Sequence, residues 1–214
     1  MIKKIIITGG LGYIGTELCK LYSGVSWHHK IFVIDNRFIS ERVNQIRNWN
    51  MEFIHGDILD KELVNKYFKD ADVVHHLAGI TQVPRIKSES NTDIDEKIKL
   101  VGEKGTQNIL DIISKNCKII FPSTHVVYEG IDKVKNDIRE DEETKPVLSY
   151  SSSKAINEKQ LKESGKNYVI LRLGSVYGYS TDSMRIDIMP ILFSKIASQN
   201  GTLKLFAGGV SQNE

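Results

Sequence analysis

Tyr150 and Lys154 stand four residues apart in YSSSK, and of the eight tyrosines only Tyr150 has a lysine at that distance. On a helix, side chains four apart leave the same face. A phenol titrates at about 10 and is a poor base at neutral pH. A neighbouring ammonium favours the phenolate, and a second positive charge close by would add to that effect. Such a pair can take a proton from a hydroxyl while a hydride leaves the same carbon. A surface Tyr–Lys pair is the plainer alternative on any helix. The choice between them turns on whether the rest of the chain builds a place for a hydride acceptor.

That place is predicted at TGGLGYIG, Thr8 to Gly15, directly after Ile5-Ile6-Ile7. A β-branched run closed by glycines, with Leu18 and Leu21 at helical spacing from Ile14, reads as strand, tight turn and helix. Gly9, Gly12 and Gly15 fall three apart; they allow a sharp turn and a close approach of backbone to ligand. The amides opening the helix, at Tyr13, Ile14 and Gly15, favour a phosphate. Lys30–Asp35 (KIFVID) is a second apolar run and ends in an acid 20 residues after Gly15. In a nucleotide-binding βαβ unit that carboxylate accepts hydrogen bonds from the adenosine ribose. An ordinary glycine turn with a chance aspartate is the alternative; the two signals together predict a dinucleotide site. Asp35 argues for NAD over NADP, because a carboxylate repels a ribose phosphate. Arg37 is the opposing hint.

The elements that must position these residues follow in order. Ile39–Asn50 reads as helix or loop, and Met51–His55 as a third strand closed by Gly56-Asp57. Asp60 is a plausible N-cap for a helix with Leu63, Val64, Tyr67 and Phe68 on one face. Asp72–Ala78 is a nearly continuous apolar strand, as expected in a parallel sheet covered on both sides. Thr92–Ser114 is a long helical stretch with Ile94, Ile98, Val101, Ile109, Ile112 and Ile113 as core candidates, interrupted by Gly102 and Gly105. Lys118–Phe121 begins a fifth strand, and Thr124 stands near its carboxyl end, the edge where doubly wound folds bind ligands. The charged stretch Glu129–Lys145 reads as a solvated loop. A helix over Ser149–Ser164 and a sixth strand over Tyr168–Leu173 complete the pattern. Strands alternating with helices give an α/β fold, a doubly wound parallel sheet of Rossmann type with helices on both faces. His75 and His76 are expected to be strand-packing residues.

The composition excludes other classes. The chain has 214 residues, 40% hydrophobic and 26% charged, an ordinary globular balance. Its 29 basic and 27 acidic residues are interspersed, so no basic face points to nucleic acid. The apolar run after Lys3-Lys4 is too short for a signal peptide, and none approaches membrane-spanning length. Cys19 and Cys117 are expected as reduced thiols in a cytoplasmic protein. The histidines at 28, 29, 55, 75, 76 and 125 have no metal-site spacing, and no metal is inferred.

Seven motifs then stand in register: TGGLGYIG, Asp35-Asn36, Gly56-Asp57-Ile58, HLAG (His76 to Gly79), PSTHVVY (Pro122 to Tyr128), YSSSK and LRLGSVYG (Leu171 to Gly178). In these the chain resembles the extended short-chain dehydrogenase/reductase family, in its NAD-dependent nucleotide-sugar epimerase/dehydratase branch, which includes the UDP-galactose 4-epimerases. The resemblance implies NAD as cofactor, a nucleotide-sugar substrate, and Thr124, Tyr150 and Lys154 as catalytic residues. It implies that Asp57 and Ile58 meet the adenine, that Leu77, Ala78 and Gly79 line the cofactor path, and that Val176 meets the nicotinamide. Thr81, Ser123 and Ser175 are implied as substrate contacts. A homodimer through the helices near Thr92–Ser114 and Ser149–Ser164 is the family expectation.

The departures from the pattern also carry information. The 4,6-dehydratases have Thr-Asp-Glu where this chain has Thr124-His125-Val126, and valine cannot transfer the proton that elimination needs. Epimerisation by oxidation and re-reduction at one carbon, net redox on a sugar nucleotide or other carbonyl compound, and a non-catalytic dinucleotide-binding module stay open. The family's asparagines are replaced by Gly102 and Ser175, and the glycine after Val-Tyr by Glu129. Residues 1–180 are expected to form the NAD-binding domain. Residues 181–214, with a helix at Ile188–Ala197 and a strand at Leu203–Phe206, are expected to open an incomplete substrate-binding part. The chain stops where the family supplies an arginine for the substrate phosphates, as either a fragment or a short member would.

Overall fold

In the computed structural model, residues 2–81, 91–132, 135–180 and 188–203 are described. Six strands, β1 (Lys4–Thr8), β2 (Lys30–Asp35), β3 (Glu52–His55), β4 (Val73–His76), β5 (Lys118–Thr124) and β6 (Asn167–Leu173), form one sheet in the order β3-β2-β1-β4-β5-β6. Every pairing is parallel. The order reverses between β1 and β4, and the crevice at the carboxyl ends of these two strands is where such a sheet takes a ligand.

Alternation along β1 shows how the sheet is buried on both faces. Ile5 and Ile7 join a cluster with Leu11, Cys19, Val43 and Ile46 from the side of α1 (Tyr13–Ser23) and α2 (Ser40–Asn48). Ile6 faces the other layer, with Val64 and Phe68 of α3 (Lys61–Phe68), Ile109 and Leu110 of α5 (Gly105–Ile112) and Leu161 of α6 (Ser149–Glu163). The sheet is therefore doubly wound, as its strand pattern predicts. Asp60 caps α3, accepting from the amides of Glu62 and Leu63 at 2.9 and 3.1 Å. Both cysteines are buried free thiols, pushed up by burial to about 12 for Cys19 and about 11 for Cys117.

Several expected elements change on folding. The strand expected over Asp72–Ala78 ends at His76, because the amides of Leu77 and Ala78 turn to the Thr8 carbonyl and hydroxyl. β5 runs past Phe121 to Thr124 and contains Pro122. Its pairing with β4 stops at Ile120, so the missing proline N–H falls where that neighbour has ended. The stretch expected as one interrupted helix is α4 (Thr92–Lys99), a π-helical turn at Leu100–Lys104, and α5. Ile98, Ile109 and Ile113 are buried as expected. Leu21, at helical spacing in α1, is exposed; Gly15, Thr16 and Cys19 form the buried stripe instead. The helix near Ile188 is present as α7 (Met189–Ser198), whereas the strand expected at Leu203–Phe206 lies outside the described residues apart from Leu203, which is not in a strand. No helix among the described residues is long and apolar enough to cross a membrane.

Candidate active site

The glycine turn is built by contacts that admit no side chain. Gly9 has φ +67°, and a Cβ there would lie 2.8 Å from the amide nitrogen of Ala78. At Gly15 a Cβ would meet the carbonyl oxygen of Gly9 at 2.3 Å. α1 is thereby drawn against the end of β1. Gly12 is its N-cap, and no side chain caps that end. The amides of Tyr13, Ile14 and Gly15 belong to the first turn, which has no acceptors of its own within the helix. The cradle therefore fits an anionic diphosphate. The Tyr13 hydroxyl donates to the Gly178 carbonyl at 2.6 Å, and Ser180 reaches Glu17 at 2.6 Å, tying the segment after β6 to α1. Ile14, Gly79, Thr81, Ser175 and Val176 are exposed around this edge.

Under the turn lies a hydrogen-bonded chain that sequence reasoning missed. His76 is buried, with Nδ1 3.0 Å from the Thr8 hydroxyl and Nε2 3.0 Å from the Thr106 hydroxyl. Burial, with a smaller contribution from Lys154, lowers its pKa to about 3, so the ring is neutral at physiological pH. The Thr8 hydroxyl also takes the Ala78 amide at 3.1 Å, fastening β4 to the glycine loop. The expectation of a packing role for His76 agrees with these bonds. His75 meets the Tyr22 hydroxyl at 2.8 Å.

At the end of β2, Asp35 is buried and accepts the Leu11 amide at 2.9 Å. Asn36 donates to Asp57 at 3.0 Å, and the other Asp57 oxygen takes the Leu59 amide at 2.9 Å. Ile58 follows, with its side chain in the core and its carbonyl accepting from the Asn108 side-chain amide at 3.1 Å.

α6 carries Tyr150 and Lys154 over β5. The Lys154 ammonium donates to the Pro122 carbonyl at 2.8 Å and lies 4.3 Å from the Phe121 ring and 5.9 Å from the Tyr150 ring. Burial lowers its pKa to about 8, against the opposing charge of Glu158 one turn on. Thr124 ends β5, and its Oγ1 accepts the Val126 amide at 3.3 Å. A hydroxyl has a further lone pair and its own proton to offer. Lys154 and Tyr150 thus stand against the second half of β5, the strand that Thr124 ends. Ser123 does not join them: its buried hydroxyl donates to Glu158 at 2.6 Å, and Glu158 is forked by Arg172 at 2.9 and 2.6 Å. Burial alone would raise the Glu158 carboxyl, but the bonds from Arg172 and Ser123 hold it below its usual range. Successive strand residues point to opposite faces, so the Ser123 side chain leaves β5 on the face opposite that of Thr124.

Glu129 is the second residue that sequence alone undervalued. Its Oε1 accepts the amides of Val147 and Leu148, both at 2.7 Å, and also meets the Ser151 hydroxyl. Leu148, the N-cap of α6, has no side chain able to do this, so a carboxylate from 19 residues away caps the helix. The stretch after it is not a freely solvated loop, because the Gly130 amide donates to the Lys145 carbonyl, the Lys145 amide to the Val127 carbonyl, and the Tyr128 hydroxyl to the Arg139 carbonyl. Its side chains stay largely exposed while its backbone is anchored. Glu129→Ala should lower Tm by about 2–4 °C, the cost of a lost cap in a chain of this size. Glu129→Gln, which keeps the acceptor, should lose less than half of that; thermal unfolding followed by circular dichroism measures both.

A sequence profile of the NAD dependent epimerase/dehydratase family matches residues 5–212. The chain is 31% identical over 198 residues to the dTDP-D-glucose 4,6-dehydratase of Dictyostelium discoideum, covering 83% of this chain and 44% of that protein. It is 35% identical over 144 residues to the CDP-paratose 2-epimerase of Salmonella typhi, covering 62% and 40%. The chain thus spans less than half the length of these two relatives. Among solved structures, the UDP-glucuronic acid 4-epimerase of Bacillus cereus, in complex with UDP-glucuronic acid and NAD, superposes with a TM-score of 0.76 at 28% identity, over 96% of this chain and 66% of that one. The profile runs over the glycine cradle, the Asp35 edge and the α6 pair alike, and on that match the chain belongs to the NAD-dependent epimerase/dehydratase family.

Proposed function

We propose that this chain is the cofactor-binding and catalytic part of a nucleotide-sugar epimerase that works with NAD. The observation that carries the reading is the Lys154 ammonium held 5.9 Å from the Tyr150 ring, on the helix that faces the end of β5. The uncapped amides of α1 and the side-chain-free contacts at Gly9 and Gly15 fit the cofactor's diphosphate, and Asp35 its adenosine ribose. When bound, NAD supplies a reversible hydride acceptor for a sugar carbon. Tyr150, as phenolate beside the ammonium, accepts the proton of the hydroxyl on that carbon and later returns it. Thr124 hydrogen-bonds the same hydroxyl and orients it. Asp57, Leu77, Ala78, Gly79 and Val176 complete the cofactor edge, and Thr81 and Ser175 face the sugar.

Epimerisation is favoured over water elimination by the residues after Thr124. His125 is exposed and bonded to the Leu173 carbonyl at 3.2 Å, and Val126 has no transferable proton. The Ser175 site and α7 open the substrate-binding part. A second copy would pack on α4, α5 and α6, where Leu100 and Ile156 are 52% and 41% exposed.

Incubation with NAD and a panel of UDP-, GDP- and dTDP-sugars, followed by chromatography and mass analysis, tests the function. A new peak of unchanged mass supports epimerisation; loss of water, or a gain or loss of two hydrogens, overturns it. With such a substrate, kcat/KM should fall as pH rises through about 8. Below that pH Lys154 is the ammonium that favours the phenolate, and above it the charge is lost. A flat alkaline profile to pH 10 would remove Lys154 from this role.

A further inference from the structure

Asp35 is the residue that should exclude a phosphorylated ribose, yet its carboxylate is already answered by a cation. The Arg37 guanidinium forks it, Nε to Oδ1 at 3.2 Å and Nη2 to Oδ2 at 3.3 Å, and the Arg37 amide adds a bond of 3.0 Å to Oδ1. With the Leu11 amide on Oδ2, all four bonds converge on a side chain only 4% exposed. Arg37 itself is 54% exposed. Its Nη2 borders the glycine turn, 3.8 Å from where a Cβ of Gly12 would stand. A second guanidinium, that of Arg42, donates to the Leu11 carbonyl on the same turn. Asp57, further along the edge, is turned to Asn36 and the Leu59 amide.

We propose that Arg37 makes the adenosine-ribose end of this site tolerant of a 2′-phosphate, so that the chain binds NADP as well as NAD. A bare Asp35 would repel the phosphate, whereas the forked pair presents no net charge. A guanidinium has five N–H donors and the fork on Asp35 uses two of them, so Arg37 can keep the carboxylate and still donate to a phosphate from its exposed side. Arginine matches a phosphate with the same planar fork it offers a carboxylate. The inference rests on Asp35 lying at the ribose, as proposed above, and it extends that reading to which ribose the site accepts.

Calorimetric titration of the full 214-residue chain, freed of nucleotide, with NAD and with NADP tests it. The expected result is an NADP affinity within about tenfold of that for NAD. Arg37→Ala should weaken NADP by roughly 10- to 100-fold, the worth of a bond to a charged group, and change NAD by less than about threefold. A wild-type preference for NAD beyond about tenfold overturns the proposal, as does an Arg37→Ala loss shared equally by both nucleotides. If neither nucleotide binds, the dinucleotide site itself is refuted and this inference with it; NAD binding alone refutes only the inference.

Discussion

Tyr150→Phe should cost roughly 10²–10⁴ in turnover, the usual worth of a general acid–base group, while NAD affinity and Tm stay close to wild type. The substitution removes one hydroxyl and keeps the ring beside the Lys154 ammonium. The lysine is held from below by the Pro122 carbonyl and by contact with Phe121, neither of which depends on the phenol. The loss should therefore appear in kcat, with little change in KM for the sugar nucleotide, because the proton transfer is needed in the transition state and binding is not. Steady-state kinetics on the substrate identified by the sugar panel, with NAD binding measured on the same preparation, decides the point. Unaltered turnover would refute the mechanism. Turnover and NAD affinity lost together would mean the phenol acts in binding.

Gly15→Ala should destabilise the chain by about 1–3 kcal/mol, the range for overpacking, and weaken NAD by at least roughly 100-fold. The added Cβ would stand 2.3 Å from the Gly9 carbonyl oxygen and 2.7 Å from the Gly10 Cα. Both are backbone atoms, so nothing flexible can yield. The start of α1 must then move away from β1, and its uncapped amides lose their aim. Gly24→Ala is the internal control: it is also next to α1, at φ −67°, with nothing within 4 Å of the new methyl. It should leave NAD binding unchanged and stability equal or slightly raised. Thermal unfolding and NAD titration of the two variants measure the contrast. Equal behaviour of the two would show that the glycine cradle is not what holds α1 in place.

The parts of this protein legible in sequence are those carried by local pattern. The unbroken apolar run Ile5-Ile6-Ile7 and the apolar runs that follow predict parallel strands covered on both faces, and the two layers on the sheet agree. The glycine spacing, Asp35 at the end of β2, the Asp60 cap and the i, i+4 pairing of Tyr150 with Lys154 are all short-range relations. Each is decided by a backbone geometry that a few residues specify. Tertiary structure alone decided the rest, because those relations join residues far apart in the chain. Ser123 and Thr124 are adjacent in sequence, but strand alternation sends Ser123 to Glu158 and leaves Thr124 at the carboxyl edge. Glu129 reads as a stray charge until the fold brings it to the start of α6, 19 residues on. His76 lies between Thr8 and Thr106, residues 68 and 30 positions away, only once β1, β4 and α5 are packed. Arg37 stands two residues from Asp35, yet no propensity says whether a flexible side chain turns to a neighbour or to solvent. The folded edge turns it onto the carboxylate. Local geometry thus placed the chemistry, and long-range packing decided which polar groups remain to perform it.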